Sequence, residues 1–237
     1  MQRAVSWIVR GVAGLICLFI VLVLSRPINA GDDEVDLALV LAMDCSSSVD
    51  EREFAVQMEG LGRAFQRADV KAAIRRGKLR RIAVSVVEWS GDNDQSTVMP
   101  WTIIANDDDA QSFGAAVAKL PRNPGPGGTS ISGALLYSAA LLDKAPRAAR
   151  RVIDLSSDGR NNVGAEVSAV RDRLVAKGIT INALAILLND WRTLELYFQN
   201  EVAGGEGNFV VPANDYGAYA DAIYVKLIKE ITGPGIS

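Results

Sequence analysis

The sequence predicts an α/β fold: a doubly wound, mostly parallel central sheet with helices on both faces. Three observations predict it. Residues 35–43 form a nearly continuous apolar run interrupted only by Asp36, the pattern of a strand covered on both faces. Similar runs at 81–89, 151–156 and 179–188 alternate with stretches of helical spacing, the arrangement that builds parallel sheets. The loops that leave these runs are rich in Asp, Ser, Thr and Gly, and they fall where open α/β sheets bind ligands, beyond the carboxyl ends of strands.

The elements follow in order. After the strand at 35–43, Asp50 and Glu53 form an N-cap pair that opens a helix to about residue 68, with a short helical turn at 70–76. The strand at 81–89 offers Ile82, Val84, Val86 and Val87 to the core. Residues 96–104 are β-rich but contain Pro100, which confines them to a sheet edge or breaks them. Asn106 then precedes Asp107, Asp108 and Asp109 at the start of a helix to residue 120. Negative charge there is favourable by a few tenths to about 1 kcal/mol, so this triplet reads as capping and solvation rather than a second metal site.

A Pro/Gly loop at 122–128 leads into a helix at 131–144 that carries Ile131, Leu135 and Leu142. A Gly-rich loop before a helix can cradle phosphate, but no Lys follows it in the manner of a P-loop. The strand at 151–156, a helix at 163–177 and the strand at 179–188 come next, then an excursion at 191–201 and a short strand at 208–211. The last helix, 215–232, places Tyr216, Tyr219, Ile223, Leu227 and Ile231 on one core-facing stripe and stops at Gly233-Pro234. With no internal repeat and no linker, residues 31–237 read as a single domain.

Residues 1–30 carry Arg3, Arg10 and Arg26 but no acid, around an apolar run at 12–24. This is the pattern of a secretory signal, and the run is shorter than the roughly 20 residues of a membrane span. Cleavage is expected after Ala30, with an uncleaved anchor as the alternative because Ile28 is larger than the usual small residue. The chain is thus expected to be exported, periplasmic or extracellular, and to touch a membrane only through this segment if it is retained. Loss of the three arginines makes the remainder more acidic than the net −3 of the whole chain, which argues against nucleic acid as a partner. Of Cys17 and Cys45 only the second would remain, so no internal disulfide is expected. There is no histidine, which removes Ser-His-Asp and Cys-His nucleophile systems and His-ligated zinc.

The functional signal lies in three loops. Asp44-Cys45-Ser46-Ser47-Ser48 leaves the first strand with a carboxylate and two hydroxyls, oxygen donors suited to a hard cation such as Mg²⁺. Gly127-Gly128-Thr129-Ser130 and Ser156-Ser157-Asp158-Gly159 add one hydroxyl and one carboxylate. On these residues the chain resembles the von Willebrand factor A domain, whose metal-ion-dependent adhesion site joins Asp-x-Ser-x-Ser to a distant Thr and a distant Asp. The resemblance runs from about residue 35 to 232 and implies Asp44, Ser46, Ser48, Thr129 and Asp158 as metal ligands, together with one antiparallel edge strand. Mg²⁺ is the expected ion, with Mn²⁺ and Ca²⁺ admissible. Cys45 and Ser47 stand where glycines are common in that family. The stretch 153–162 and Val87-Glu88-Trp89-Ser90 resemble, more narrowly, an uncharacterised bacterial family of exported proteins with this fold.

The resemblance implies a non-enzymatic, metal-dependent protein-binding module that takes an Asp or Glu side chain from a partner. Trp89, Ser90, Asp92, Arg160, Asn161 and Trp191 are candidates for the rim around it, the two tryptophans being either interface anchors or core. The alternative is a divalent-metal-assisted hydrolase of a phosphate or ester. Against it stand the missing histidine and the missing Gly-x-Ser-x-Gly elbow. Gly91-Asp92-Asn93-Asp94 resembles the start of a calcium loop but lacks the later Gly and Glu, so it reads as a turn.

Overall fold

The computed structural model describes residues 34–123, 127–188 and 191–233, apart from the side chains of Trp191 and Arg192. The leader assigned to residues 1–30 lies outside them. Among the described residues no helix is long and apolar enough to cross a membrane.

Six strands form one sheet in the order β3-β2-β1-β4-β5-β6: β1 (Val35–Asp44), β2 (Ile82–Trp89), β3 (Gln95–Ile104), β4 (Ala148–Ser157), β5 (Ile179–Ile186) and β6 (Val210–Ala213). All neighbours are parallel except β2 and β3. Pro100 lies within β3, where the expected edge position makes its missing N–H harmless, and the β2/β3 register shifts around Val86. Because β1 pairs with β2 on one side and β4 on the other, the chain order reverses at β1, and the loops beyond its carboxyl end stand at the switch point where open α/β sheets bind ligands.

The two faces of β1 differ in size. Leu37, Leu39, Leu41 and Met43 point to one face, where they pack with Phe54, Met58, Leu61 and Phe65 of α1 (Glu51–Gln66) and Ile223 and Leu227 of α7 (Tyr219–Thr232). The same layer takes in α2 (Ala68–Arg76) and α3 (Asp107–Val117). Ala38, Val40 and Ala42 point the other way, and these small residues let Ala134 and Leu135 of α4 (Ile131–Leu142) approach the sheet closely. On that face α5 (Val167–Val175), α6 (Trp191–Tyr197) and a π-helical turn at Phe198–Val202 complete the cover. The expected stripe of Tyr216, Tyr219, Ile223, Leu227 and Ile231 is buried throughout.

Local signals set the helix starts. Asp50 accepts from the Glu53 amide at 2.8 Å while Glu53 accepts from the Asp50 amide at 2.9 Å, so the capping pair of α1 is complete. Asn106 accepts from the Asp109 amide at 2.9 Å, Asp109 from the Ala105 amide at 2.9 Å, and Asp107 pairs with Arg75, so the acidic triplet serves α3. The extended backbone of Arg67 separates α1 from α2, close to the expected helix end near residue 68. Other boundaries differ from expectation. The last helix starts at Tyr219, so Tyr216 lies in the turn before it. Helix α5 starts at Val167, because Gly164 adopts φ +90° and its position is hemmed in by Asp92, Ser130 and Ser132, which holds the preceding segment as a loop.

One part of the core is charged. Lys226 of α7 is fully buried and donates to Asp154 of β4 at 2.7 Å and to Glu230 at 2.8 Å. Asn182 of β5 donates to the second Glu230 oxygen at 2.8 Å and accepts from the Phe209 amide at 2.9 Å. Burial, opposed by the Lys226 charge, raises the Asp154 carboxyl above its usual range. The network ties α7 to β4 and β5 by directional bonds. Removing the lysine strands two carboxylates in a dry interior, so Lys226→Met is expected to cost about 3–5 kcal/mol in denaturant unfolding. A loss below about 1 kcal/mol would contradict this account of the network.

Candidate functional site

The five side chains drawn from three loops meet beyond the carboxyl ends of β1 and β4. Asp44 ends β1 and is fully buried. The register that sets Met43 beside Ser156 brings Ser157 next to Asp44, and the Ser157 hydroxyl donates to Asp44 Oδ2 at 2.5 Å. Asp44 Oδ1 accepts from the Ser46 amide at 2.7 Å, an Asx-type turn that curls the loop back over the strand end. Ser46 Oγ then lies 3.2 Å from Ser48 Oγ, and Thr129 Oγ1 lies 3.4 Å from Ser46 Oγ. The run ends at Asp158, whose Oδ1 accepts from Ser48 Oγ at 2.7 Å.

Each distant donor has its own support. The Thr129 amide donates to Asn162 Oδ1 at 2.8 Å, and the Asn162 amide returns a bond to the Thr129 carbonyl at 2.9 Å. Gly128 is required by this arrangement, since a Cβ there would stand 2.4 Å from Asn162 Oδ1. The Tyr216 hydroxyl, in the turn before α7, donates to Asp158 Oδ2 at 3.2 Å. Ser157, Asn162 and Tyr216 are thus functional supports that sequence reasoning missed. Ser157 could have been found from the parallel register of β1 and β4; Asn162 and Tyr216 carry no local signal.

The charge at the centre is unusual. Burial is the largest influence on Asp44 and raises its carboxyl to about 6, against the lowering bonds from Ser157 and Ser46, with the nearby Asp158 charge adding to the rise. The hydroxyls around it are neutral. Among the described residues no group of three or more His, Cys, Asp or Glu gathers into a metal-binding cluster, so any cation held here rests on two carboxylates and three hydroxyls.

The rim divides. Asp92 and Arg160 are exposed; Asp92 accepts from Ser130 Oγ at 3.1 Å, and the Arg160 guanidinium lies 5.1 Å from the centre of the Tyr197 ring. Asn161 is half-buried and accepts from the Ser132 amide at 3.2 Å, which ties its loop to the start of α4. Trp89 and Ser90 are not rim residues: both are fully buried, Trp89 because it faces α4 in the small-residue layer, Ser90 because its backbone pairs with Ser130 and Asp94. The Trp191 side chain lies outside the described ones. Residues 91–94 form the expected tight turn between β2 and β3, with the Asp94 amide bonded to the Gly91 carbonyl at 3.2 Å. A cavity of about 730 Å³ lies at the other end of the sheet, lined by Arg150, Ile179, Asn182, Phe209 and Lys229, well away from these loops.

This sheet order, with the loop cluster at its switch point, defines a von Willebrand factor A fold. The chain belongs to the family described as "Protein of unknown function (DUF1194)", whose profile matches residues 34–235. No curated protein matches it by sequence. Among solved structures it is similar to proximal thread matrix protein 1 of the mussel byssus with a zinc-occupied MIDAS motif (TM-score 0.61, 18% identity, 84% of this chain and 48% of that one). It is also similar to a von Willebrand factor type A protein of Catenulispora acidiphila (TM-score 0.57, 20% identity, 83% and 43%) and to BatB of Bacteroides thetaiotaomicron (TM-score 0.53, 18% identity, 82% and 98%). The chain spans less than half the length of the mussel and Catenulispora proteins.

The raised Asp44 carboxyl has a consequence for metal-free protein. Its folded value of about 6 exceeds the ordinary 3.8, so its stabilising share is full below pH 3.8 and is lost as pH rises through about 6. That share is at most about 3 kcal/mol. Chelated protein unfolded in urea at a series of pH values is expected to show this fall, and Asp44→Asn is expected to remove the Asp44 share of it. An unchanged pH profile in the variant would refute the assignment.

Proposed function

We propose that the chain is an exported, metal-dependent protein-binding module that holds Mg²⁺ through Asp44, Ser46, Ser48, Thr129 and Asp158 and engages an acidic side chain of a partner. The observation that carries this reading is the run of side-chain oxygens from Thr129 through Ser46 and Ser48 to Asp158, beside the Asp44 carboxylate. Neighbouring ligands in an octahedral Mg²⁺ shell stand about 2.9 Å apart. The contacts along this run, 2.7, 3.2 and 3.4 Å, lie near that spacing while joining residues up to 110 positions apart.

The donor set fits the ion for a second reason. Asp44 is a buried carboxylate whose oxygens are met by an amide and a hydroxyl, so a cation beside it relieves the cost that burial imposes. A bound divalent ion supplies Lewis-acid attraction for an external carboxylate. Ser46, Ser48 and Thr129 orient their oxygens without adding negative charge, and Tyr216 and Ser48 hold Asp158 in place. If both aspartates reach the ion through water, as in the family the chain resembles, the directly bound donors are neutral and the cation keeps charge for an incoming Asp or Glu. Around that contact Arg160 and Asp92 offer one exposed charge of each sign for partner selection. The mussel relative, whose MIDAS motif holds zinc, and the pilus adhesin SpaC of Lactobacillus rhamnosus GG, which has the same fold, support this reading. An enzymatic reading has less behind it, since the chain has no histidine and the Ser157 hydroxyl is engaged by Asp44.

Saturating Mg²⁺ or Mn²⁺, at about a hundred times Kd, is expected to raise Tm by about 5–10 °C over chelated protein. Asp44→Ala and Asp158→Ala are expected to abolish that rise. The apparent affinity is expected to weaken as pH drops below about 6, where a proton competes for Asp44. Absence of a shift with any divalent ion in scanning calorimetry would overturn the metal reading. Capture of a partner equally well in Mg²⁺ and in chelator would overturn the bridging.

A further inference from the structure

On the reading just given, the ligand loop 44–48 must keep its hydroxyls turned toward Thr129, and its own backbone opposes that. The carbonyls of Cys45 and Ser46 are consecutive and both point at one atom, Nη2 of Arg122, at 2.9 and 3.0 Å. Two adjacent carbonyl dipoles aimed at one point repel each other. A cation between them turns the repulsion into two charge-assisted bonds. The Ser46 carbonyl also accepts the Val49 amide at 3.0 Å, so a single bent loop is pinned from both sides.

Arg122 is itself fixed in place. Its neighbour Asn123 donates its amide and its side-chain nitrogen to Glu88 Oε2 at 3.0 and 3.1 Å, and Glu88 is a buried carboxylate near the end of β2. The Cys45 thiol reaches the Trp89 carbonyl at 3.3 Å and the Asn123 carbonyl at 3.5 Å from the other side. The segment after α3, the end of β2 and the ligand loop thus form one unit. Residue 45 also belongs to it: Cys45 stands where glycine is common in von Willebrand factor A domains, and its thiol joins two of the three segments.

We infer that Arg122 is a positioning residue for the metal site, holding the 44–48 loop in its ligand geometry through the Cys45 and Ser46 carbonyls, with Glu88 and Asn123 as its anchor. The inference rests on the proposed metal reading, but the loop geometry can be measured without metal.

The experiment uses the full protein as wild type, Arg122→Met and Arg122→Lys. Amide hydrogen exchange is followed in chelator at Ser46 and Val49, whose N–H groups are bonded within the loop, and Mg²⁺ binding is followed by titration calorimetry. In Arg122→Met, exchange at these two amides is expected to accelerate about ten-fold or more while amides of β1 and α4 are unchanged. Mg²⁺ affinity is expected to fall by about ten-fold, with Arg122→Lys recovering part of both because it restores the charge without the fork. Unchanged exchange in both variants overturns the inference, and so does faster exchange with unaltered Mg²⁺ affinity. If wild-type protein binds no Mg²⁺ and exchange still accelerates, the metal reading fails while the clamp on the loop stands. If Arg122→Met does not fold, Arg122→Lys alone decides by the same two readouts.

Discussion

The arrangement at the top of the sheet depends on one carboxylate being buried where, among the described residues, no side-chain cation pairs with it. Asp44 ends a central strand that is covered on both faces, and its two oxygens are held by the Ser46 amide and the Ser157 hydroxyl. The first bond folds the loop over the strand end, and the second locks β1 to β4 at the register that also delivers Asp158. Thr129, Ser46, Ser48 and Asp158 then line up their oxygens in one run beside Asp44.

The protein contains a second buried charge cluster, and the contrast separates structure from function. Around Lys226 the two carboxylates share an ammonium group, Asn182 satisfies the second Glu230 oxygen, and the whole lies under α7. That cluster has its positive charge within the polypeptide. Around Asp44 the neighbours are neutral hydroxyls and another carboxylate, and burial shifts the acid upward. The first cluster fixes a helix to a sheet; the second leaves a demand for positive charge, which is the physical content of the proposed metal reading. Asp154 and Asp158 stand four residues apart in one stretch, yet the first pairs with Lys226 and the second meets the Ser48 hydroxyl.

The supports of these donors come from separate parts of the chain. Asn162 holds Thr129 through a reciprocal pair of bonds, Tyr216 holds Asp158, and Arg122 holds the loop carbonyls. Each is a directional bond from a different part of the chain to a donor or to its backbone. Such support limits how far each oxygen strays, so under the proposed metal reading less order would have to be created on binding. The exposed Asp92 is bonded to Ser130, next to Thr129, and the exposed Arg160 lies over the Tyr197 ring.

By itself, the sequence determined the fold class, the strand and helix order, the capping of α1 and α3 and the apolar stripe at the end of the chain, and its family resemblance supplied the expected set of five oxygen donors. These rest on local signals: apolar periodicity, Asp50 with Glu53, Asn106 with Asp109, and loop composition at strand ends. Only the tertiary structure decided that Trp89 and Ser90 are core and not rim, that Ser157 bonds Asp44, and that Asn162, Tyr216 and Arg122 brace the donors. The reason is range. Contacts such as Tyr216 with Asp158 join residues 58 apart, and no periodicity or motif encodes which distant polar group packing will bring within a hydrogen bond.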